Sequence, residues 1–264
     1  MIDVSIVQFA PLLGKLQDNI NSIKELVTPI SAQLIVLPEL ANSGYRFNDY
    51  KEAKAASEYI VSSEFIDALC VMSKTKGAYI VSGFCEREGD DLYNSAVLVG
   101  PNGLVGTYRK LHLFWGEKRI FKPGNKGLPV FDTPIGKIGM LVCFDWMFPE
   151  AWRSLALQGA QVIAHPSNLV LPYCQGVIPS YALVNRCFIA TSNRIGSERD
   201  LTFTGQSLLA GPNGEVLKKA SKGNAEVLCA SLDLERAKDK FITPCNDAFS
   251  DRRDDVYGHL NIKI

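Results

Sequence analysis

No apolar run in this sequence approaches the roughly 18 residues that a membrane-crossing helix needs, and neither sign of charge is in excess, since Lys+Arg and Asp+Glu both number 28 in 264 residues. The first absence argues against a transmembrane protein. The second argues against nucleic acid or an anionic membrane as partner, because both select a basic excess. The clusters "GDD" at 89–91 and "DRRDD" at 251–255 are short or mixed in sign and read as solvated surface. Seven cysteines are present, at 70, 85, 143, 174, 187, 229 and 245, but the number is odd and no Cys-x-x-Cys occurs. That leaves neither a zinc knuckle nor a disulfide framework, and most of these cysteines are expected to be buried, inert side chains in a reducing compartment. The first residues, "MIDVSIVQFAP", carry Asp3 where a secretory leader would have Lys or Arg, which points to a cytoplasmic protein. Linkers, low-complexity tracts and breaks in composition are also missing, so residues 1–264 read as one domain.

What is present is an alternation of β-rich runs and helical patterns. Strands are predicted at 4–10, 33–39, 78–84, 92–100 and 104–110, with helices at 17–32 and 62–76. A further strand is predicted to end on Cys143, followed by a helix over 149–159 that has Pro149 near its start. A strand over 160–166, a helix over 176–186, and strands at 187–196, 206–210, 215–219 and 225–232 complete the pattern. The segment "LHLFWGEKRIFKPGNKG" (111–127) suits no regular element, and a loop of that length inside a compact domain is usually functional. Two "GPNG" turns, at 100–103 and 211–214, suggest two similar halves.

Three strand ends carry a reactive side chain where the backbone leaves the sheet. Glu39 follows Leu-Ile-Val-Leu-Pro, where desolvation would raise a carboxylate toward the range of a general base. Lys110 ends "GTYRK", and an ammonium there would favour a neighbouring thiolate and stabilise an oxyanion. Cys143 stands between "GMLV" and Phe-Asp-Trp, a strand-to-helix passage of the kind in which backbone N–H groups gather around a nucleophile. A buried strand can use cysteine as a small hydrophobe, but the residues after Cys143 fit that poorly. Of the three histidines, His112 lies two residues beyond Lys110 and could face the site, His165 closes a strand and reads as a hydrogen-bonded structural residue, and His259 is in the C-terminal tail.

Together, "VLPELANSGY", "YRKLHLFWGEKRIFKPG" and "GKIGMLVCFDWMFPEAWRSLALQGAQVIAHPSN" resemble the glutamate, lysine and cysteine segments of the nitrilase superfamily of carbon–nitrogen hydrolases, a likeness that covers nearly the whole chain. The resemblance implies a four-layer α-β-β-α sandwich and a homodimer or a higher assembly of dimers. It implies hydrolysis of a non-peptide carbon–nitrogen bond in a small amide or nitrile through a thioester on Cys143, releasing ammonia and a carboxylic acid. Glu39 would be the general base, Lys110 and the Phe144 N–H would stabilise the tetrahedral intermediate, and Glu117 would position the substrate and support the triad. No metal or organic cofactor is implied.

Candidate substrate-binding residues are Tyr45, Trp115, Phe144, Trp146, Asn168 and Tyr173, an aromatic set with few charges that suits a small neutral substrate. Carbamoyl-hydrolysing branches of the family often carry other residues just after the cysteine, so Phe-Asp-Trp favours a simple aliphatic amide or nitrile. The alternatives are an N-carbamoyl or ω-amino amide hydrolase of the same superfamily, and a non-catalytic binding or assembly subunit. Residues 241–264 hold Phe241, Phe249, Tyr257 and Leu260 among polar residues, too aromatic for a free tail, and read as a dimer contact.

Overall fold

A computed structural model describes residues 1–257, so His259 and Leu260 lie outside the described residues. In chain order the elements are β1 (Ile2–Gln8), α1 (Leu16–Val27), β2 (Leu34–Val36), α2 (Tyr50–Ala56), α3 (Glu64–Lys76), β3 (Tyr79–Glu88), β4 (Asp91–Gly100) and β5 (Gly103–Arg109). The second half has β6 (Val130–Thr133), β7 (Gly136–Met140), α4 (Pro149–Leu157), β8 (Val162–Ser167), α5 (Cys174–Asn185) and β9 (Phe188–Asn193). A small hairpin, β10 (Ser197–Glu198) and β11 (Leu201–Thr202), precedes β12 (Leu208–Ala210), β13 (Val216–Lys219) and β14 (Glu226–Leu232). The tail adds the hairpin β15 (Phe241–Thr243) and β16 (Asn246–Asp247) and one turn of helix, α6 (Asp254–Tyr257).

Two six-stranded sheets run in the orders β14-β1-β2-β3-β4-β5 and β6-β7-β8-β9-β12-β13. Period-two alternation decides which residues face which layer. Val4 and Ile6 of β1, Leu34 and Val36 of β2, and Ala96 and Leu98 of β4 point between the sheets, while Val7, Ile35, Leu37, Val97 and Val99 point the other way, onto α1 and α3. On the second sheet α4 and α5 supply the opposite outer layer, with Trp152, Leu155, Ile178 and Ala182 buried in it. The result is the α-β-β-α sandwich that the resemblance implied.

The halves correspond strand for strand. In each sheet three parallel strands (β1, β2, β3 and β7, β8, β9) are flanked on one side by two antiparallel ones, and each "GPNG" turn joins the outer pair. The chain breaks the correspondence only at its end: β14 returns to pair antiparallel with β1, in the place that β6 holds beside β7.

Local differences from the sequence reading have simple causes. Helix α1 stops at Val27, short of residue 32, because Pro29 cannot continue it. Helix α2 was not expected; Asp49 caps it by accepting from Glu52 N–H. The ladder before Cys143 ends at Met140, so the cysteine belongs to the following turn and not to the strand.

Candidate active site

Glu39 is fully buried just beyond β2. Its backbone follows β3 past the end of the regular ladder, with Leu37 N–H on Val81 O (2.8 Å), Gly83 N–H on Pro38 O (3.0 Å) and Ala41 N–H on Gly83 O (3.2 Å). That closeness needs glycine at 83, where a Cβ would stand 2.3 Å from both Glu39 Cα and Leu40 N. Asn94 on β4 donates from Nδ2 to Glu39 Oε1 (2.7 Å), and Asn168 Nδ2 donates to the Glu39 carbonyl (2.9 Å). Glu39 Oε2 has no hydrogen-bond partner among the described residues.

Lys110, the first residue after β5 and also fully buried, donates from Nζ to Glu39 Oε1 at 2.7 Å and to Glu117 Oε1 at 2.8 Å. Glu117 sits in a short 3-10 turn, Trp115–Arg119, inside the long loop. Its Oε1 also accepts from the Tyr45 hydroxyl (2.7 Å), and its Oε2 from the Phe114 N–H (3.2 Å).

Cys143 opens a 3-10 turn, Cys143–Met147, with φ at +44°, a left-handed conformation that a non-glycine residue holds only when its surroundings enforce it. Two residues enforce it here. Asp145, buried, accepts from Val142 N–H (2.9 Å), Tyr108 hydroxyl (2.7 Å) and His112 N–H (3.1 Å), tying the turn to the lysine strand. His165 donates from Nε2 to the Cys143 carbonyl (2.9 Å), while its Nδ1 meets Thr191 Oγ1 (3.1 Å).

Above the sulfur lies a narrow cleft walled by Phe114, Phe144, Trp146, Asn168, Leu169, Val170 and Leu171, with about 10 Å³ open to the centre of a water-sized sphere, space for about one water. The structure thus brings Phe144, Trp146 and Asn168 to the cysteine and puts the other three predicted pocket residues elsewhere. Tyr45 is buried behind Glu117. Trp115 is 60% exposed and, with Tyr45 and Glu117, borders a different cavity of about 210 Å³. Tyr173 is 60% exposed, at the N-terminal end of α5. Asn94, Tyr108 and Asp145 were not singled out from the sequence. Asn94 did leave a signal, a lone amide within the buried run of β4.

The family model for carbon–nitrogen hydrolases matches residues 3–240. The chain belongs to the nitrilase superfamily of carbon–nitrogen hydrolases. This hydrolase is similar to a nitrilase from Pyrococcus abyssi, 45% identical over 260 residues that cover 97% of this chain and 99% of the relative. An N-carbamoylputrescine amidase from Arabidopsis thaliana is 32% identical over 285 residues, covering 96% and 93%. Among solved structures, a carbon–nitrogen hydrolase from Helicobacter pylori matches with a TM-score of 0.89 at 27% identity over 99% of both chains. A mutant of an amidase from Nesterenkonia sp., with the acetamide moiety of fluoroacetamide on its active-site cysteine, matches with a TM-score of 0.82 at 26% identity, covering 97% and 95%. The hydrolase is therefore an enzyme of carbon–nitrogen bond hydrolysis.

Electrostatics of the buried cluster differ in one respect from the sequence expectation. Burial pushes the Cys143 thiol well above its usual range, the Glu39 charge adds to this, and Lys110 opposes it without prevailing. The sulfur therefore rests as a thiol, not as the thiolate that a neighbouring ammonium suggested. Burial also pulls on Lys110, but the charges of Glu117 and Glu39 outweigh it and hold the ammonium more firmly protonated than an ordinary lysine. Glu117 is raised, by burial first and by the Glu39 charge, against the pull of Lys110. Burial draws His165 down to about 4, so its imidazole is neutral at pH 7.

Proposed function

We propose that the hydrolase converts a small, uncharged aliphatic amide or nitrile to the acid and ammonia, with Cys143 as nucleophile, Glu39 as general base and Lys110 as oxyanion donor. The observation that carries this reading is the pair of unused valences around a buried thiol. Glu39 has one oxygen free to accept the thiol proton, and Lys110, with three donors of which two are engaged, keeps one N–H for an oxyanion. As Sγ attacks the carbonyl carbon, its proton passes to Glu39 Oε2. The oxyanion is met by Lys110 Nζ and by the N–H of Phe144, which lies in the first turn of a helical segment where N–H groups lack intrahelical partners. Glu39 then returns the proton to the departing nitrogen, ammonia leaves, and a thioester remains. Water attacks the thioester, giving its proton to Glu39, and the thiol leaves protonated. A nitrile would enter through a thioimidate and use the same groups.

The cleft supports a small neutral acyl group, because its walls are apolar apart from Asn168 and carry no charged side chain. A carbamoylated diamine would find no partner there for its ammonium, although relatives bear that activity in their names. Ammonia release over a panel of short amides, nitriles, N-carbamoyl compounds and ω-amino amides tests the reading. Fast turnover of propionamide-sized substrates is expected, and preference for a charged carbamoyl compound would overturn it. The Cys143→Ala variant should be inert on the whole panel and still fold.

We further read the enzyme as a cytoplasmic homodimer with the tail at the contact. In support, Phe241 and Tyr257 are half exposed although both are large and apolar. Phe249 instead lies against its own subunit, 5.1 Å from the Arg153 guanidinium and 4.5 Å from Lys240 Nζ.

A further inference from the structure

We propose that Tyr45, clamped through its backbone by Glu198, is a positioning residue that orients Glu117 toward Lys110. The proposal rests on the catalytic reading given above. Tyr45 reaches Glu117 with its hydroxyl, and that hydroxyl shares Glu117 Oε1 with the ammonium of Lys110. A shared acceptor of this kind fixes where the carboxylate stands, because two donors converge on one oxygen from different elements.

What holds Tyr45 comes from the other half of the chain. Glu198, on the β10–β11 hairpin and largely buried, accepts with Oε1 from both Tyr45 N–H (2.9 Å) and Arg46 N–H (2.6 Å). Its Oε2 takes Arg194 Nη1 (3.2 Å), and Arg194 Nη2 is anchored on the Pro11 carbonyl (2.9 Å). The Arg194 guanidinium lies 4.1 Å from the centre of the Phe203 ring, and Phe203 meets Tyr45 edge-on at 5.9 Å. Gly44 makes the approach possible: its φ is +76°, and a Cβ there would fall 2.6 Å from Leu13 Cα and 2.8 Å from Glu198 Oε2. A buried carboxylate, a buried guanidinium and the Phe203 ring thus converge on one backbone segment. Their common outcome is a tyrosine with its hydroxyl on Glu117 and its ring outside the walls of the cleft.

The consequence is a pH signature. Glu117 is faced by Lys110, Glu39, Tyr45 and Cys143, and Arg46, Asp49 and Arg119 line the cavity on its other side. The tyrosine O–H favours the charged carboxylate, so removing it makes Glu117 easier to protonate. Tyr45→Phe should lower kcat about ten- to a hundredfold, the worth of one hydrogen bond to a charged group, move the acid limb of kcat/KM to higher pH, and leave KM within about twofold. Glu198→Gln should shift the limb in the same direction by less. The double variant should be no slower than Tyr45→Phe, because both act through one hydroxyl. Glu117→Gln serves as the reference: full activity there would overturn the positioning role, since Tyr45 acts through Glu117, whereas an active Cys143→Ala would refute the catalytic reading itself. An impaired Glu117→Gln beside a Tyr45→Phe with an unmoved acid limb would overturn the positioning role alone. A rise in KM at constant kcat in Tyr45→Phe would overturn it too, by making Tyr45 a substrate contact. Since Tyr45→Phe removes one oxygen and keeps the ring, it tests the proposal even if Glu198→Gln fails to fold.

Discussion

A thiol kept from water beside two carboxylates holds its proton, and Cys143 meets both conditions. Burial and the retained proton both slow alkylation of Cys143, so at pH 7 iodoacetamide should modify the exposed Cys229 and Cys245 first, as peptide mapping will show. Rapid labelling of Cys143 in the substrate-free enzyme would mean a resting thiolate. Lys110→Arg should not restore function, because a planar, forked guanidinium cannot take the place of a compact ammonium between two carboxylates; a loss of about a hundredfold or more in kcat is expected, the scale of one oxyanion donor. His165 gives a stability prediction. Above pH 6.5 it is neutral in both folded and unfolded chains, so its contribution is complete there. As pH falls, the unfolded chain takes up the proton first, and stability declines until about pH 4, by about 3 kcal/mol. Urea midpoints at pH 7 and pH 5 should differ less in His165→Gln than in the parent. Glu39, Lys110 and Cys143 could be singled out in the sequence because each follows a β run with a chemistry that the run does not need. Asn94 and Glu198 were not, since their partners stand 55 and 153 residues away and only the fold makes them neighbours.

At the level of elements, the proposed active site is assembled where strands stop. Glu39 follows β2, Lys110 follows β5, Cys143 lies just past β7 and Asn168 just past β8, so every reactive group hangs on a rigid stem of one sheet or the other. Gly83 on β3 shows how little slack these junctions have. Gly83→Ala would drive a methyl into Glu39 Cα, and the backbone must move to admit it. We expect a stability loss of about 2 kcal/mol, typical of overpacking, together with a fall in kcat; a wild-type urea midpoint and rate would show that the loop yields freely. Strand and helix positions were largely readable, because period-two and 3.6-residue patterns are strong in buried layers. Helix α2 and the 3-10 turns Trp115–Arg119 and Cys143–Met147 escaped notice, since their formation depends on a single cap or on side chains brought from other elements, as with Asp145 and Tyr108.

At the scale of the molecule, the two sheets are approximate copies, and the paired "GPNG" turns were a true trace of that likeness. The tail lies beyond the paired architecture, and removing the chain after Pro244 should yield monomer or aggregate on a sizing column, with activity reduced although no catalytic segment is touched. A truncated protein that still elutes as an active dimer would return the tail to the surface of its own subunit. The break in the pairing, where β14 closes on β1 with Leu232 opposite Ile2, has a consequence for biosynthesis. The ribosome releases β1 more than two hundred residues before β14, and at about 5–20 residues per second roughly ten seconds or more separate them. Through that interval the outer margin of β1 offers unpaired N–H and C=O groups, a template for a strand from another nascent chain. Aggregation of this protein is thus a hazard of its translation, set by the order in which its strands emerge, and the finished molecule removes that hazard when its own late strand takes the place.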